Sequence, residues 1–244
     1  IVKSTDADII INAVAYTAVD LAEDEFQLAN IVNGTTVTEI AKVAAKRNIP
    51  FLHISSDYVF NGNGSSSWKT NDPTNPQNSY GRSKLIGESG ILAAAGPYVI
   101  LRTSWVFSSH GNNFVKTMMR LMKERPNLNI VADQKGRPTY AKDLAMATMQ
   151  MIESMNAGKA INGIYHYANK GETTWFDFAA KIKAIAGLDC TLNPIETKDF
   201  PTPAKRPAYS VLDTSKIEHD LAIDIRHWED ALKDCINQMN LNVL

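Results

Sequence analysis

Tyr80 and Lys84 stand four residues apart in the run Tyr80-Gly81-Arg82-Ser83-Lys84, and Ser56 ends an apolar run upstream. On a helix, positions i and i+4 lie one above the other on the same face, so an ammonium can sit beside a phenol. A tyrosine near pKa 10 is a poor acid or base at neutral pH. A neighbouring cation favours the phenolate and moves the group toward the range where proton transfer is efficient. With the Ser56 hydroxyl converging on the pair, the trio can reduce a ketone. The spacing alone also fits a partly exposed helical tyrosine beside a solvated lysine. The order of the neighbouring elements favours chemistry. Phe51 to Ser56 predicts a short buried strand, a loop rich in Asn, Gly, Ser and Pro follows, and the Tyr80 helix comes next.

The rest of the chain must hold such a trio in place. With 44% apolar content, 244 residues can bury one sizeable core and a smaller second one. A net charge of −1 and no dense Lys/Arg block argue against nucleic acid and for a small ligand. Cys190 and Cys235 are far apart and lack metal-ligand spacing, so they are expected to be inert packing residues in a reducing compartment. No stretch approaches a membrane span, and Ile1 to Ser4 does not open as a signal peptide, so the expectation is a cytoplasmic protein with no membrane partner.

Asp8 to Ala15 reads as a strand buried on both faces, the pattern of a parallel sheet. Asn33 to Arg47 has helical spacing through Val37, Ile40, Ala41 and Ala44, and Tyr98 to Leu101 reads as another strand. Helix, strand, helix and strand follow at Met118 to Lys123, Asn129 to Val131, Asp143 to Met155 and Gly163 to Tyr167. This alternation predicts an α/β fold, a doubly wound, Rossmann-like parallel sheet. From Gly171 the pattern loosens into a helix from Thr174 to Ile185, a Pro-containing stretch, and a last helix from Trp228 to Ile236. The expected division is a dinucleotide-binding domain at 1–112, with 140–168 returning to it, and a smaller substrate-binding lobe from 113–139 and 169–244. Ligands of open parallel sheets sit outside the carboxyl ends of the strands, where Ala15-Tyr16-Thr17, Ser55-Ser56-Asp57 and Thr103-Ser104-Trp105 emerge. None of the 13 glycines forms a Gly-rich phosphate array. The sheet is therefore expected to be incomplete at its front, short of a βα unit of roughly 30 residues or more.

Several strings resemble the dTDP-4-dehydrorhamnose reductases, a branch of the extended short-chain dehydrogenases. They are Asn12 to Asp20, His53 to Phe60, Tyr80 to Lys84 with Leu85 to Glu88, Arg102 to Phe107, Asn113 to Val115, Asp133 to Thr139 and Arg206 to Asp213. Two departures are the front, without the family's glycine-rich phosphate loop, and Ser56, where the family usually has threonine. The resemblance implies hydride transfer from NADPH or NADH to the C4 carbonyl of dTDP-4-dehydro-L-rhamnose, with Tyr80 giving the proton. It implies that Lys84 touches the nicotinamide ribose and keeps the phenol acidic, and that Ser56 hydrogen-bonds the carbonyl. A serine hydroxyl can do this without the threonine methyl. Ala15, Tyr16, Thr17 and Ile54 join Tyr80 and Lys84 as implied cofactor contacts, and Asp57 and Trp105 join Ser56 along the sugar nucleotide. Without amides for the pyrophosphate, the 244-residue chain is expected to bind NAD(P)H weakly or not at all. A homodimer is compatible with the sequence and not fixed by it.

Duller roles compete at several positions. Trp105 also fits a core aromatic, His53 a structural residue of an apolar strand, and Arg102 a brace at the sheet end. Asp20, Glu23, Asp24 and Glu25 read as a solvated helix face, and no metal site is expected. Two other functions compete as well. Nucleotide-sugar dehydratases carry an acidic residue where this chain has Tyr58, and epimerases lack the other strings. A regulatory subunit similar to the beta subunit of methionine adenosyltransferase shares much of the pattern and binds a partner protein.

Overall fold

A computed structural model describes residues 6–241. Residues 1–5, where the expected gap in the sheet would begin, lie outside the described residues. The chain opens with β1 (Ile10–Asn12) and α1 (Phe26–Asn30), which runs through a π-helical turn at Ile31–Thr35 into α2 (Thr36–Lys46). Then come β2 (Phe51–Ser56), α3 (Ser79–Ala94) and β3 (Tyr98–Thr103). The middle holds β4 (Val106–Phe107), α4 (Phe114–Glu124), β5 (Asn127–Val131), β6 (Lys135–Gly136), β7 (Thr139–Tyr140), α5 (Ala141–Asn156) and β8 (Gly163–His166). Last are β9 (Thr173–Thr174), α6 (Trp175–Ala186), β10 (Thr191–Ile195), α7 (Ser215–Leu221) and α8 (Trp228–Leu241).

Among the described residues, β1, β2, β3 and β8 form one parallel sheet in that order, with Ser56 level with Thr103 at its carboxyl end. Successive strand residues point to opposite faces, and both faces are covered. Phe51 and Ile100 pack with Val37, Ala41 and Ala44 of α2 and Ile91 of α3. Leu52, Val99 and Leu101 pack on the other side with Leu144, Ala147 and Met151 of α5. The sheet is therefore doubly wound, as the alternation of elements predicted.

A second core joins α4, α6 and α8 through Val115, Met118, Met122, Phe178, Ile182, Leu232 and Ile236, with Leu128 and Ile130 of β5 beneath them. β5 and β10 pair in parallel. The packing moves the expected boundaries in two places. Ile217 and Leu221 of α7, with Ile225, pack on the sheet, whereas Tyr140 lies in the core of the lobe.

Three elements differ from the sequence reading. The strand expected over residues 8–15 spans Ile10–Asn12 alone, and Val14 is 71% exposed beyond it. β10 and α7 both fall in the stretch read as irregular. Pro194 interrupts the apolar pattern of β10, and α7 carries its buried residues only at Ile217 and Leu221. No helix among the described residues is long and apolar enough to cross a membrane.

What positions the site is the close approach of α3. A Cβ at Gly81 would overlap the Tyr58 carbonyl, and one at Gly87 would overlap the carbonyl of Asn33. Both glycines let backbone meet backbone. Gly→Ala inside an ordinary helix is stabilising by roughly 0.5–1 kcal/mol. Gly81→Ala is expected to reverse that sign and destabilise by about 1–3 kcal/mol, because the intruding methyl meets main chain that cannot rotate away. A lower urea midpoint for Gly81→Ala checks this, and a higher one refutes it.

Candidate active site

β2 delivers Ser56 to the carboxyl edge of the sheet, where the strand turns into a 3-10 segment at Asp57–Val59. The Ser56 hydroxyl caps that turn by accepting from the Tyr58 amide at 3.2 Å, and it donates to Asp57 Oδ1 at 3.0 Å. α3 begins at Ser79 because Asn78 caps it, accepting from the Gly81 amide at 2.8 Å, while Glu23 accepts from the Ser79 amide at 2.8 Å. Tyr80 thus enters in the first turn, half-buried, with its hydroxyl near enough to Ser56 to feel it and its ring edge-on to Tyr58 at 5.5 Å.

Tyr80, Lys84 and Glu88 follow at helical spacing and all turn toward β2. Lys84, 1% exposed, donates from Nζ to the Ile54 carbonyl at 2.7 Å and lies 3.2 Å from His53 Nε2. Glu88 forms a two-point pair with Arg102 of β3 at 2.7 and 3.0 Å and accepts from the Ser55 hydroxyl. His53 is fully buried, and its other nitrogen lies 3.0 Å from Asn12 Nδ2 at the end of β1.

These surroundings set the protonation states. Burial raises the Tyr80 phenol above its ordinary range, and Asp57 and Tyr58 push the same way against the Ser56 hydrogen bond. Burial pulls Lys84 down to about 8 while Glu88 opposes it. His53 is held well below its usual range by burial and then by the Lys84 cation, so it stays neutral. Asp57 is pushed up to about 7 by burial, with the hydrogen bond from Ser56 the first of the effects resisting.

One expectation needs correcting. Lys84 does not tune the Tyr80 phenol here; its Nζ is engaged with the Ile54 carbonyl and His53, and the phenol answers to burial, Ser56, Asp57 and Tyr58. A buried N–H donor needs such a partner, and the Ile54 carbonyl supplies it. Tyr80 is kept protonated instead, which is the form that proton donation needs.

The structure brings Ser56, Asp57, Tyr80, Lys84 and the Ile54 carbonyl together. Ala15, Tyr16 and Thr17 form a loop at the end of β1, fastened by Asn33. The Asn33 side chain accepts from the Tyr16 amide at 2.9 Å, donates to the Tyr16 carbonyl at 3.0 Å, and donates to Ser83 of α3 at 3.0 Å. Asp57, 3% exposed, lies behind Ser56 rather than on an open wall. The Trp105 ring stacks on Trp175 at 3.6 Å and lies against Gly136, toward the lobe.

Asn33, Glu23 and Glu88 escaped the sequence reading. Glu88 carried a signal, since it continues the Tyr80 and Lys84 face by one more turn. The acidic run is not simply a solvated face. Besides Glu23 on α3, Asp20 pairs with Arg206 at 2.7 Å, and Glu25 accepts from the Tyr16 hydroxyl at 2.8 Å. No metal-binding cluster occurs among the described residues. Beside these groups, a cavity of about 470 Å³ is lined by Asn61, Asp133, Phe200, Lys205 and Arg206. Arg206 also reaches the Tyr58 hydroxyl at 3.3 Å, which ties the cavity wall to the ring packed on Tyr80.

A doubly wound parallel sheet with Ser, Tyr and Lys gathered at its carboxyl edge defines a short-chain dehydrogenase/reductase type of protein. The chain belongs to the family described as RmlD substrate binding domain, whose model matches residues 1–241. It is 41% identical to the dTDP-4-dehydrorhamnose reductase of Escherichia coli (strain K12), over 98% of this chain and 82% of that one. A crystal structure of a dTDP-4-dehydrorhamnose reductase from Clostridium acetobutylicum superposes with a TM-score of 0.93 at 37% identity, covering 98% of this chain and 85% of that one. The dTDP-4-dehydrorhamnose reductase from Bacillus anthracis, solved in complex with NADP, gives 0.90 at 36% identity, covering 95% and 80%.

Asp57 makes stability depend on pH. Its folded pKa lies above that of the unfolded chain, so the stability it lends is whole below about pH 4 and is lost as pH rises through about 7. Asp57→Asn removes that slope. At roughly 1.4 kcal/mol per pH unit, the wild type should lose up to about 3 kcal/mol relative to the variant between pH 5 and pH 8. Thermal unfolding of both proteins at the two pH values checks this, and parallel losses refute it.

Proposed function

We propose that this chain reduces the C4 ketone of dTDP-4-dehydro-L-rhamnose to the alcohol of dTDP-L-rhamnose, using NAD(P)H. The observation that carries this reading is the placement of Ser56 at the carboxyl edge of β2 beneath the first turn of α3, which carries Tyr80 and Lys84, in a chain of this family. The named activity of the relatives at 41% identity and the NADP-bound neighbour support it.

The residues present fit the nicotinamide end of such a cofactor. Asn33 ties the loop carrying Tyr16 to α3, and the Lys84 ammonium of that helix, engaged with His53 and Ile54, keeps an N–H for a ribose hydroxyl. NAD(P)H bound there supplies the hydride. The protein's own part is to place the ketone and give it a proton. Ser56 offers a hydroxyl to the ketone oxygen and Tyr80 delivers the proton to it. The cavity beside Tyr58 takes the nucleotide portion, where Lys205 and Arg206 meet the diphosphate and Phe200, 55% exposed, offers a face to the base. The lobe built on α4, α6 and α8 closes the substrate side.

The full chain supplied with NADPH and the keto sugar nucleotide should consume cofactor and yield dTDP-L-rhamnose. Tyr80→Phe should lower kcat by about 10²–10⁴-fold with little change in cofactor affinity, because only the proton donor is removed. Wild-type turnover without product rejects the substrate, and unimpaired turnover by the variant rejects Tyr80 as the donor.

A further inference from the structure

We infer that Asp57 is a positioning residue whose protonation turns the hydroxyl of Ser56 toward the ketone, and whose ionisation turns it away. This rests on the reductase reading above and on a count of hydrogen-bonding positions. Ser56 has one proton and two lone pairs. In the structure its proton goes to Asp57 Oδ1 at 3.0 Å and one lone pair accepts the Tyr58 amide at 3.2 Å. With Asp57 ionised, then, the Ser56 proton is not free for a ketone.

A proton on Asp57 reverses the line. The carboxyl donates to Ser56, the Tyr58 amide keeps its place, and the Ser56 proton swings toward the ketone. No atom moves further than the rotation of two hydroxyls.

The carboxyl is placed to take that proton. It is 3% exposed, and its Oδ2 has no partner within hydrogen-bonding geometry. A buried, half-satisfied carboxylate is costly, and a neutral carboxyl much less so. The groups facing it are Tyr58 from its own turn, Tyr80 from α3 and Ser210 from the segment that crosses behind. The charges that act on this set, Arg206 and Asp20, do so through Tyr58 and are paired with each other. No cation sits on Asp57 itself to hold it ionised, in keeping with a pKa of about 7.

Asp57→Asn tests the inference, since a carboxamide always donates to Ser56. In the full chain, wild-type kcat for ketone reduction should fall about tenfold per pH unit above neutrality, and Asp57→Asn should lack that limb. Ser56→Ala removes the hydroxyl that Asp57 turns, so it should be slower but equally free of the limb, which serves if Asp57→Asn does not fold. Infrared difference spectra of the ligand-free wild type should show a carboxylic C=O band that vanishes as pH rises through about 7 and is missing from Asp57→Asn. The inference is overturned if wild type and variants share one alkaline limb, or if no such band titrates. Absent wild-type turnover would instead reject the reductase reading, and the infrared band would still decide the protonation of Asp57.

Discussion

The whole site depends on how closely α3 lies over the end of β2. Side chains at 80, 84 and 88 share one face of that helix, and each meets a successive feature of the strand end: the Ser56 hydroxyl, the Ile54 carbonyl with His53, and Ser55. The match works only because two glycines remove the Cβ atoms that would otherwise strike the carbonyls of Tyr58 and Asn33. Catalytic geometry and helix packing are here one constraint, set by residues that do no chemistry.

That closeness brings charge into the interior. Glu88 and Arg102 are nearly inaccessible, and a buried ion pair gains little over apolar packing unless its geometry and remaining hydrogen bonds are good. Here the geometry is two-pronged and Ser55 takes up a further carboxylate position. Removing one partner would strand the other, at about 3–5 kcal/mol. The pair therefore acts as a bolt between α3 and β3 rather than as a surplus of stability. Its carboxylate also steadies the Lys84 ammonium against the burial that would neutralise it.

Much of this was readable from residue types. The strand to Ser56, the helix from Tyr80 and the doubly wound sheet follow from apolar runs and helical spacing, and the trio follows from order along the chain. What could not be read was where long side chains would end. The i, i+4 rule placed Lys84 on the correct face but said nothing of its reach, and a free carbonyl at Ile54 decided the matter. Asn33 looked like an ordinary helical residue because its role depends on a loop and a helix, 17 and 50 residues away in sequence, meeting at its amide. The acidic run at 20–25 was read as solvated because its partners, Ser79 and Arg206, lie in distant segments. Contacts of that kind leave no periodicity in a sequence.

Arg206 shows how the two lobes act on one site. It comes from the stretch between β10 and α7, yet it pairs with Asp20 and touches Tyr58, whose ring rests edge-on against Tyr80. Burial raises Tyr58 to about 12, and the Arg206 cation is the main force opposing that rise. The same guanidinium lines the cavity assigned to the substrate. An anion arriving there must compete with Asp20 and the Tyr58 hydroxyl for the two nitrogens of Arg206 that they engage. An anion in that cavity is thereby coupled through one planar cation to the ring beside Tyr80, although no residue of the lobe touches Ser56 or Tyr80 in the hydrogen bonds described.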